Sequence, residues 1–177
     1  ALDNSLRVGR RVYDQTEEEN RFFLERIAFQ IKTKNLLLPN NQKALARYVE
    51  VVQRSFNLNA VEVYSTSFKR LAYAKAPRLE ENGGLRRLHA DSLQPQLSEG
   101  QVRSVTRKSK DGELVRTIAT IPFGVTFAQA DAFITAVKLI PLQLSEDMAS
   151  ISRGVAEYRQ IKLLKQPIKI TYFITLS

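Results

Sequence analysis

The first 34 residues form a stretch without proline or turn clusters, and this stretch limits the fold more than any other feature. No proline occurs before Pro39, and residues recur at heptad-like steps, which predicts one long helix over residues 2–34. The stripe consists of Leu2, Leu6, Gly9, Tyr13, Thr16, Asn20, Phe23 and Ile27, with Phe22 and Ile31 beside it. Such a helix is about 45 Å long at about 1.5 Å per residue. We therefore expect its early turns to project beyond the core.

The rest of the pattern is a second helix followed by strands. Residues 35–41 interrupt the helical spacing, and a second helix is predicted over residues 42–56. Lys110-Asp111-Gly112 separates two apolar runs, and Asp-Gly supplies the positive φ angles of a tight hairpin turn. Residues 77–100 are expected to be irregular, with a short helical stretch that Asn82-Gly83-Gly84 opens. Strands are predicted over residues 61–65, 70–76, 102–109, 113–121 and 132–140.

Helices that precede a run of hairpin-linked strands are typical of α+β domains. We expect a long N-terminal helix and a second helix to pack on an antiparallel sheet of about five strands, followed by an exit helix. The chain has 177 residues, 44% of them hydrophobic, which is enough for one core. The prediction is a single domain over 1–177, made of a membrane-proximal helix (1–34), a helix-plus-sheet core (35–141) and the exit helix (142–177).

The C-terminal segment begins as an amphipathic helix and then becomes apolar. A helical stripe is formed by Leu144, Met148, Ile151, Val155 and Tyr158. Beyond Pro167 the sequence is apolar and aromatic with flanking lysines, a composition typical of a membrane interface. A membrane-spanning helix needs roughly 20 apolar residues. We therefore expect the chain to end inside the first turns of a membrane span; a ragged C-terminal helix is the alternative.

Composition argues against several other functions. The net charge is +9 with a pI of 9.9, but the basic residues are dispersed, and the sequence has no helix-turn-helix, RNP or GXXG pattern. Binding to nucleic acid or lipid is therefore a third-ranked hypothesis, and most charges are expected to be solvated. Cysteine is absent and His89 is the sole histidine, so no disulfide, metal site or cofactor is predicted.

Catalysis within this chain is not expected. His89 lies close to Arg86 and Arg87 in sequence, and no Gly-x-Ser-x-Gly elbow accompanies it. The nucleotide-binding boxes and the phospho-accepting histidine motif of a histidine kinase do not occur either. Asp111-Gly112-Glu113 resembles a fragment of a calcium loop, but it lacks the other ligand positions and is better explained as a hairpin turn.

Two arginines are the best candidates for ligand binding. Arg103 and Arg107 are an even number of residues apart on one predicted strand, so they share a face and could clamp a small carboxylate or other anion. The irregular segment 77–100 is expected to cover that face, because long irregular connections often carry function. Arg86, His89 and Tyr73 are the candidate neighbours. The alternative is that both arginines face solvent.

The segment 155–172, VAEYRQIKLLKQPIKITY, closely resembles the membrane re-entry of NtrY-type sensor histidine kinases. The order of the elements is similar to that family too, with Ile121-Pro122-Phe123 in the place of a strand-ending Val-Pro-Ile-like motif. The resemblance implies a PDC-like (Cache-related) sensor domain of a two-component system, linked to nitrogen regulation. It also implies a protein of the bacterial inner membrane, with this domain in the periplasm and the membrane at both chain ends.

The function that the resemblance implies is signal input to a cytoplasmic histidine kinase, whose catalytic domains are absent from this sequence and whose response regulator acts beyond them. Binding of a small anionic ligand or a partner would shift the terminal helices. A homodimer through the stripe of residues 2–27 would couple two such exits, although the same stripe could pack only within its own chain. The alternative function is a ligand-free, membrane-tethered interaction or scaffold domain.

Overall fold

The fold is described from a computed structural model, for residues 2–89 and 101–141, with side chains from Gly9 onward within those ranges. The predicted exit helix and membrane segment, residues 142–177, lie outside the described residues. Contacts between residues define a compact unit over Tyr13–Leu142. Within the described ranges, no helix combines the length and the hydropathy that a bilayer crossing requires.

Two helices precede the sheet, as predicted. The first, α1, spans Leu2–Thr33 without a break, and the second, α2, spans Gln42–Ser55. Asn35 lies between them in a left-handed conformation (φ 55°), and a short 3₁₀ turn covers Pro39–Asn41. From Thr16 onward α1 buries residues three and four apart, which are the spacings of one helical face. These residues are Thr16, Asn20, Leu24, Ile27, Ala28 and Ile31.

Five strands form one antiparallel sheet in the order β2-β1-β5-β4-β3. The last strand therefore lies between the first strand and the fourth. The predicted α+β architecture is confirmed, and the strand bounds differ from the predicted ones by one residue at most. The strands are β1 (Ala60–Ser65), β2 (Arg70–Lys75), β3 (Arg103–Ser109), β4 (Gly112–Ile121) and β5 (Ala132–Pro141).

Both faces of the sheet are covered. The helix face packs on α1 and α2 through small and branched side chains of the strands, among them Val61, Val63, Ala119 and Ile134. The opposite face carries the alternate residues of the same strands, including Tyr64, Ile118, Phe133 and Val137. Because β4 and β5 bury residues on both faces, their sequences are nearly continuous apolar runs rather than alternating ones.

The prediction of a helical stretch after Asn82 is wrong. A 3₁₀ helix instead spans Pro77–Asn82 and ends there, and residues 84–89 have no regular structure. Gly83 and Gly84 have φ angles of 92° and 66°, and the Gly84 amide donates to the Leu79 carbonyl at 3.0 Å. Consecutive left-handed glycines terminate a helix because this conformation closes its last carbonyls. The pair therefore ends a 3₁₀ helix and does not begin a helix.

Candidate functional site

A cluster of charged side chains is buried at the centre of the sheet face opposite the helices. Glu62 of β1 is fully buried, and Arg116 of β4 is 8% exposed. Arg70 of β2 completes the charged set, with 17% of its side chain exposed. Charged residues are almost never buried to this extent unless they are paired. The cluster is therefore the feature of this face that most needs a chemical explanation.

Glu62 is the hub of the cluster. One of its oxygens, Oε1, accepts hydrogen bonds from Thr135 Oγ1 at 2.8 Å and from the Arg116 guanidinium. The other, Oε2, accepts from the Tyr64 hydroxyl at 2.5 Å and forms an ion pair with Arg70 Nη2 at 3.0 Å. Each carboxylate oxygen thus has two donors, which uses the lone pairs that a carboxylate offers.

The two arginines are less completely paired than the glutamate. Two guanidinium groups face one carboxylate, so the cluster carries one excess positive charge. Within the part of the chain that the structure describes, the Nε atoms of Arg70 and Arg116 are buried and have no hydrogen-bond partner. A buried donor without an acceptor costs about 1–3 kcal/mol, more for a charged group. This site therefore favours an additional anionic acceptor.

The neighbouring tyrosines stay protonated over a wide pH range. Burial raises the pKa of Tyr64, and its hydrogen bond to the Glu62 carboxylate raises it further. Burial also raises the pKa of Tyr73, whose ring lies over the Arg70 guanidinium at 4.0 Å from Cζ to the ring centroid. Burial disfavours the charged form of Arg70, but the Tyr64 hydroxyl and the Glu62 carboxylate outweigh it and raise its pKa. Arg70 thus retains its charge at neutral pH.

Apolar side chains flank the charged cluster on both sides. One group contains Tyr64, Leu88, Ile118 and Phe133, against which Phe68 and Phe127 pack. The second group contains Ala60, Leu79, Leu114 and Val137, with Tyr73, Leu85 and Leu139 packed against it. The face therefore combines a central charged site with apolar surroundings, which is the usual composition of a site for small organic molecules.

The segment 84–89, which we call the cover segment, lies over this face. Arg116 Nη1 donates to the Arg86 carbonyl at 2.7 Å, and the Leu88 amide donates to the Tyr64 hydroxyl at 3.3 Å. The Leu88 side chain is 8% exposed and belongs to the first apolar group. The cover segment thus contacts the charged cluster through its backbone and the apolar group through one side chain.

The start of the cover segment, together with the residues just before it, is fastened to the hairpin of β3 and β4. Arg107 donates to the carbonyls of Asn82 at 3.2 Å and Gly84 at 2.5 Å. The Asn82 side chain accepts from the Asp111 amide at 2.9 Å and donates to the Asp111 carboxylate at 3.1 Å. These bonds fix the point at which the cover segment begins.

The structure distributes the predicted site residues over different roles. Arg107 binds the backbone before the cover segment, so its guanidinium is already engaged; Arg103 is exposed on the same edge strand. Arg86 contributes its carbonyl to Arg116, while its side chain is exposed. Tyr73 lies against Arg70, and His89 is exposed at the end of the described segment. Ligand binding by these residues stays a prediction.

The central residues Glu62, Tyr64, Arg70, Arg116 and Thr135 were not among those predicted from the sequence. One signal could have identified two of them: Glu62 and Arg116 are charged residues inside strands that are otherwise apolar on both faces. A charge flanked by apolar residues two positions away on each side is expected to be buried with a partner. The identity of that partner depends on the strand order.

A metal site has no basis in the described ranges, where no group of three or more His, Cys, Asp or Glu side chains could hold an ion. The oxygens of Glu62 are also occupied by donors, and its nearest charged neighbours are cations. The cluster is therefore suited to anions rather than to cations.

Comparison with known proteins relates this fold to sensor domains. Neither a protein-family model nor a curated protein sequence matches the chain. Among solved structures, the periplasmic domain of Vibrio cholerae LuxQ matches with a TM-score of 0.53 and 10% identity, over 85% of this chain and 71% of that one. The extracellular domain of the candidate histidine kinase vpHK1S-Z8 matches with a TM-score of 0.51 and 12% identity, over 79% of this chain and 57% of that one.

A third similar structure is the ligand-binding domain of the Campylobacter jejuni chemoreceptor Tlp3 in complex with L-valine. It matches with a TM-score of 0.51 and 11% identity, over 84% of this chain and 60% of that one. The chain thus spans about three-fifths of two of these three structures. At such low identity the likeness concerns the fold, which is the PDC-like α+β fold of sensor domains in receptors.

Proposed function

We propose that this domain is the signal-sensing input domain of a membrane-bound sensor histidine kinase and that it recognises its signal on the sheet face opposite α1. The observation that carries the proposal is the buried cluster of Glu62, Arg70 and Arg116, which has one excess positive charge. A fold shared with receptor sensor domains supports the same function. In this proposal the domain detects the signal, and phosphoryl transfer is carried out by a kinase domain outside this sequence.

A physical route connects the charged cluster with α1. Arg116 and Thr117 are adjacent on β4, so their side chains point to opposite faces of the sheet. Thr117 Oγ1 accepts a hydrogen bond from Asn20 Nδ2 of α1 at 3.0 Å. A ligand that moves β4 at Arg116 therefore changes the packing of α1 directly behind it. A signal of this kind requires only that the ligand favour one arrangement of the helix over another.

The finer assignment is an NtrY-type kinase of nitrogen regulation, in the bacterial inner membrane, with this domain in the periplasm. It rests on the resemblance of segment 155–172, which lies outside the described residues. The membrane at both chain ends, the exit helix and the cognate response regulator belong to the same proposal. A bacterial two-hybrid assay between the parent kinase and candidate response regulators tests the pathway independently of the ligand.

A homodimer belongs to the proposal in a modified form. Thr16, Asn20 and Ile27 of the predicted stripe are buried against their own sheet, so they are unavailable for a second copy. The proposal therefore confines the contact to the early turns, around Leu2 and Leu6. A cysteine at position 6 is expected to crosslink to its symmetry mate in membranes, whereas a cysteine at exposed Glu18 serves as the control.

The alternative is an interaction domain without a small ligand, and one observation favours it. Phe22 and Phe29 are 54% and 63% exposed on the outer side of α1, where they line an open groove of about 510 Å³ with Arg26. Exposed aromatic side chains together with arginine are typical of protein interfaces. In that case, replacement of Phe22 and Phe29 by serine would abolish signalling.

The test is thermal unfolding of the protein against amino acids, dicarboxylates, monocarboxylates and inorganic anions. A ligand that binds only the folded state raises the Tm, by an amount that grows with its concentration over Kd. We expect carboxylates to raise the Tm of the wild type but not of Arg116→Met. Arg47→Met is the matched control, because Arg47 is an exposed arginine of α2, which packs on the other face of the sheet. Equal stabilisation of Arg116→Met would locate the ligand elsewhere, and no stabilisation by any compound would favour the interaction domain.

A further inference from the structure

The charge of the cluster sets the charge of the ligand that it fits; this step rests on the proposed function. Arg70 and Arg116 carry two positive charges and Glu62 carries one negative charge, so one additional carboxylate makes the cluster neutral. Buried charges are tolerated when they are balanced and hydrogen-bonded. A carboxylate would also supply acceptors for the buried Nε atoms of the two arginines. A dicarboxylate would leave an excess negative charge.

The occupancy of Glu62 argues against an ammonium group on that ligand. Oε1 of Glu62 already accepts hydrogen bonds from Arg116 and Thr135, and Oε2 accepts one from Tyr64 and forms an ion pair with Arg70. An α-amino acid brings an ammonium group together with its carboxylate, and that ammonium would lie beside two guanidinium groups. Like charges at such close range repel each other strongly inside a protein. The cluster therefore selects against free amino acids.

The cover segment occupies the positions that such a ligand would take. The Arg86 carbonyl accepts from Arg116 Nη1 at 2.7 Å, where a carboxylate oxygen would add the attraction of a full negative charge to the guanidinium. Two residues further on, the branched side chain of Leu88 fills the apolar group of Tyr64, Ile118 and Phe133. The chain thus presents its own neutral acceptor and its own branched apolar group to the site.

We propose that the cover segment is a built-in competitor, which a monocarboxylate with a short branched apolar chain displaces from Arg116 and from the apolar group of Tyr64, Ile118 and Phe133. When the ligand binds, its carboxylate replaces the neutral Arg86 carbonyl as the acceptor for Arg116. Its branched chain replaces the side chain of Leu88. The bonds of Arg107 and Asn82 hold the chain at Gly84 while residues 85–89 move away. Displacement of the cover segment is then the first structural event of signalling.

The probe is 4-methylpentanoate, with two compounds of the same carbon skeleton as controls. Leucine adds an ammonium group, and 4-methylpentanamide removes the charge. We expect 4-methylpentanoate to bind in isothermal titration calorimetry and both controls to bind at least about tenfold more weakly, since each loses a charge-assisted contact or adds a repulsive one. Amide hydrogen exchange of Leu88 is expected to accelerate on saturation, because its bond to Tyr64 is lost.

Leu88→Ala tests the competition directly. It weakens the closed state of the cover segment, and the apparent Kd falls in proportion as the competent fraction rises, so we expect binding of 4-methylpentanoate to tighten about tenfold. Leu38→Ala, at an exposed leucine, is the control that leaves the Kd unchanged. Leu88→Val removes a smaller part of the buried side chain and gives a smaller gain, so it replaces Leu88→Ala if that variant does not fold.

Two results would overturn this inference. One is binding of 4-methylpentanoate by neither the wild type nor Leu88→Ala; the other is binding while the Leu88 amide stays protected. The proposed function would survive both if a different compound stabilised the wild type and not Arg116→Met. Tighter binding of leucine than of 4-methylpentanoate would refute the exclusion of the ammonium group. The proposed function as a sensor of small molecules would remain supported.

Discussion

Removal of the Glu62 charge has the most clearly predicted effect on the stability of the domain. Glu62→Gln keeps the shape of the side chain and one acceptor oxygen, but leaves Arg70 and Arg116 buried without a counter-charge. Breaking a buried ion pair by neutralising one partner costs about 3–5 kcal/mol. The total stability of a domain is only about 5–15 kcal/mol. We therefore expect a variant that folds but is close to the limit of its stability.

The assay is urea and thermal unfolding followed by circular dichroism. For a chain of this size, a loss of about 3–5 kcal/mol lowers the Tm by about 6–20 °C. Asp131→Asn is the control, because it neutralises the carboxylate of an ion pair with Lys32 whose side chains are 45% and 54% exposed. Exposed pairs contribute about 0–1 kcal/mol, so this variant is expected to differ little from the wild type.

A third variant separates the cost of an unpaired charge from the loss of packing. Combined replacement of Glu62, Arg70 and Arg116 by leucine or methionine removes all the charges, and buried ion clusters replaced in this way are often neutral or stabilising. We expect it to recover most of the stability lost in Glu62→Gln. A loss in Glu62→Gln no larger than in Asp131→Asn, at an unchanged urea m-value, would refute the importance of the buried charge.

Three further outcomes follow from single residues. Folding raises the pKa of Tyr64, so its protonated form stabilises the protein fully below about pH 10. This stabilisation declines as the pH rises through the folded-state pKa. In unfolding curves above about pH 10, Tyr64→Phe should therefore lose stability less steeply than the wild type. In urea unfolding, Gly83→Ala should lower the free energy of unfolding by about 1 kcal/mol or more, because φ is 92° and the new Cβ lies 2.8 Å from Arg107 Nη1. Gly9→Ala should raise it, because Gly9 lies in a helix and its new Cβ would have no atom within 4 Å. Ile27→Ala, fully buried between α1 and the sheet, should cost about 2–5 kcal/mol in that assay, and a cost below about 1 kcal/mol would contradict the described packing.

The elements could be predicted from the sequence because local rules determine them. The absence of proline before Pro39 and the helical spacing sufficed for α1, and the Asp111-Gly112 pair sufficed for the hairpin of β3 and β4. The exception was Gly83-Gly84, because a glycine pair is compatible with both a helix start and a helix end. Only the carbonyls of the preceding turn decide between them, and those depend on Pro77–Asn82 being helical.

The centre of the site could not be predicted because it depends on strand order. Glu62 and Arg116 are 54 residues apart in sequence, and the strands that carry them are separated by β5. No local pattern indicates that the last strand inserts between the first and the fourth. Arg107, by contrast, was singled out as a ligand clamp, but its bonds to the Asn82 and Gly84 carbonyls depend on the path of a segment without regular structure.

The position of Glu62 also bears on how the sheet avoids misassembly. Glu62 pairs with Thr135 across β1 and β5, and Arg116 reaches it diagonally from β4. A slip of one residue in either ladder would turn the displaced strand over and move its side chains to the other face. If β1 slips, Glu62 enters the apolar layer beneath α1 without a cation, and if β4 slips, Arg116 does so without an anion, each at a cost of several kcal/mol. The cluster therefore favours the native register of β1, β5 and β4, because Glu62 and Arg116 meet on the same face only in that register.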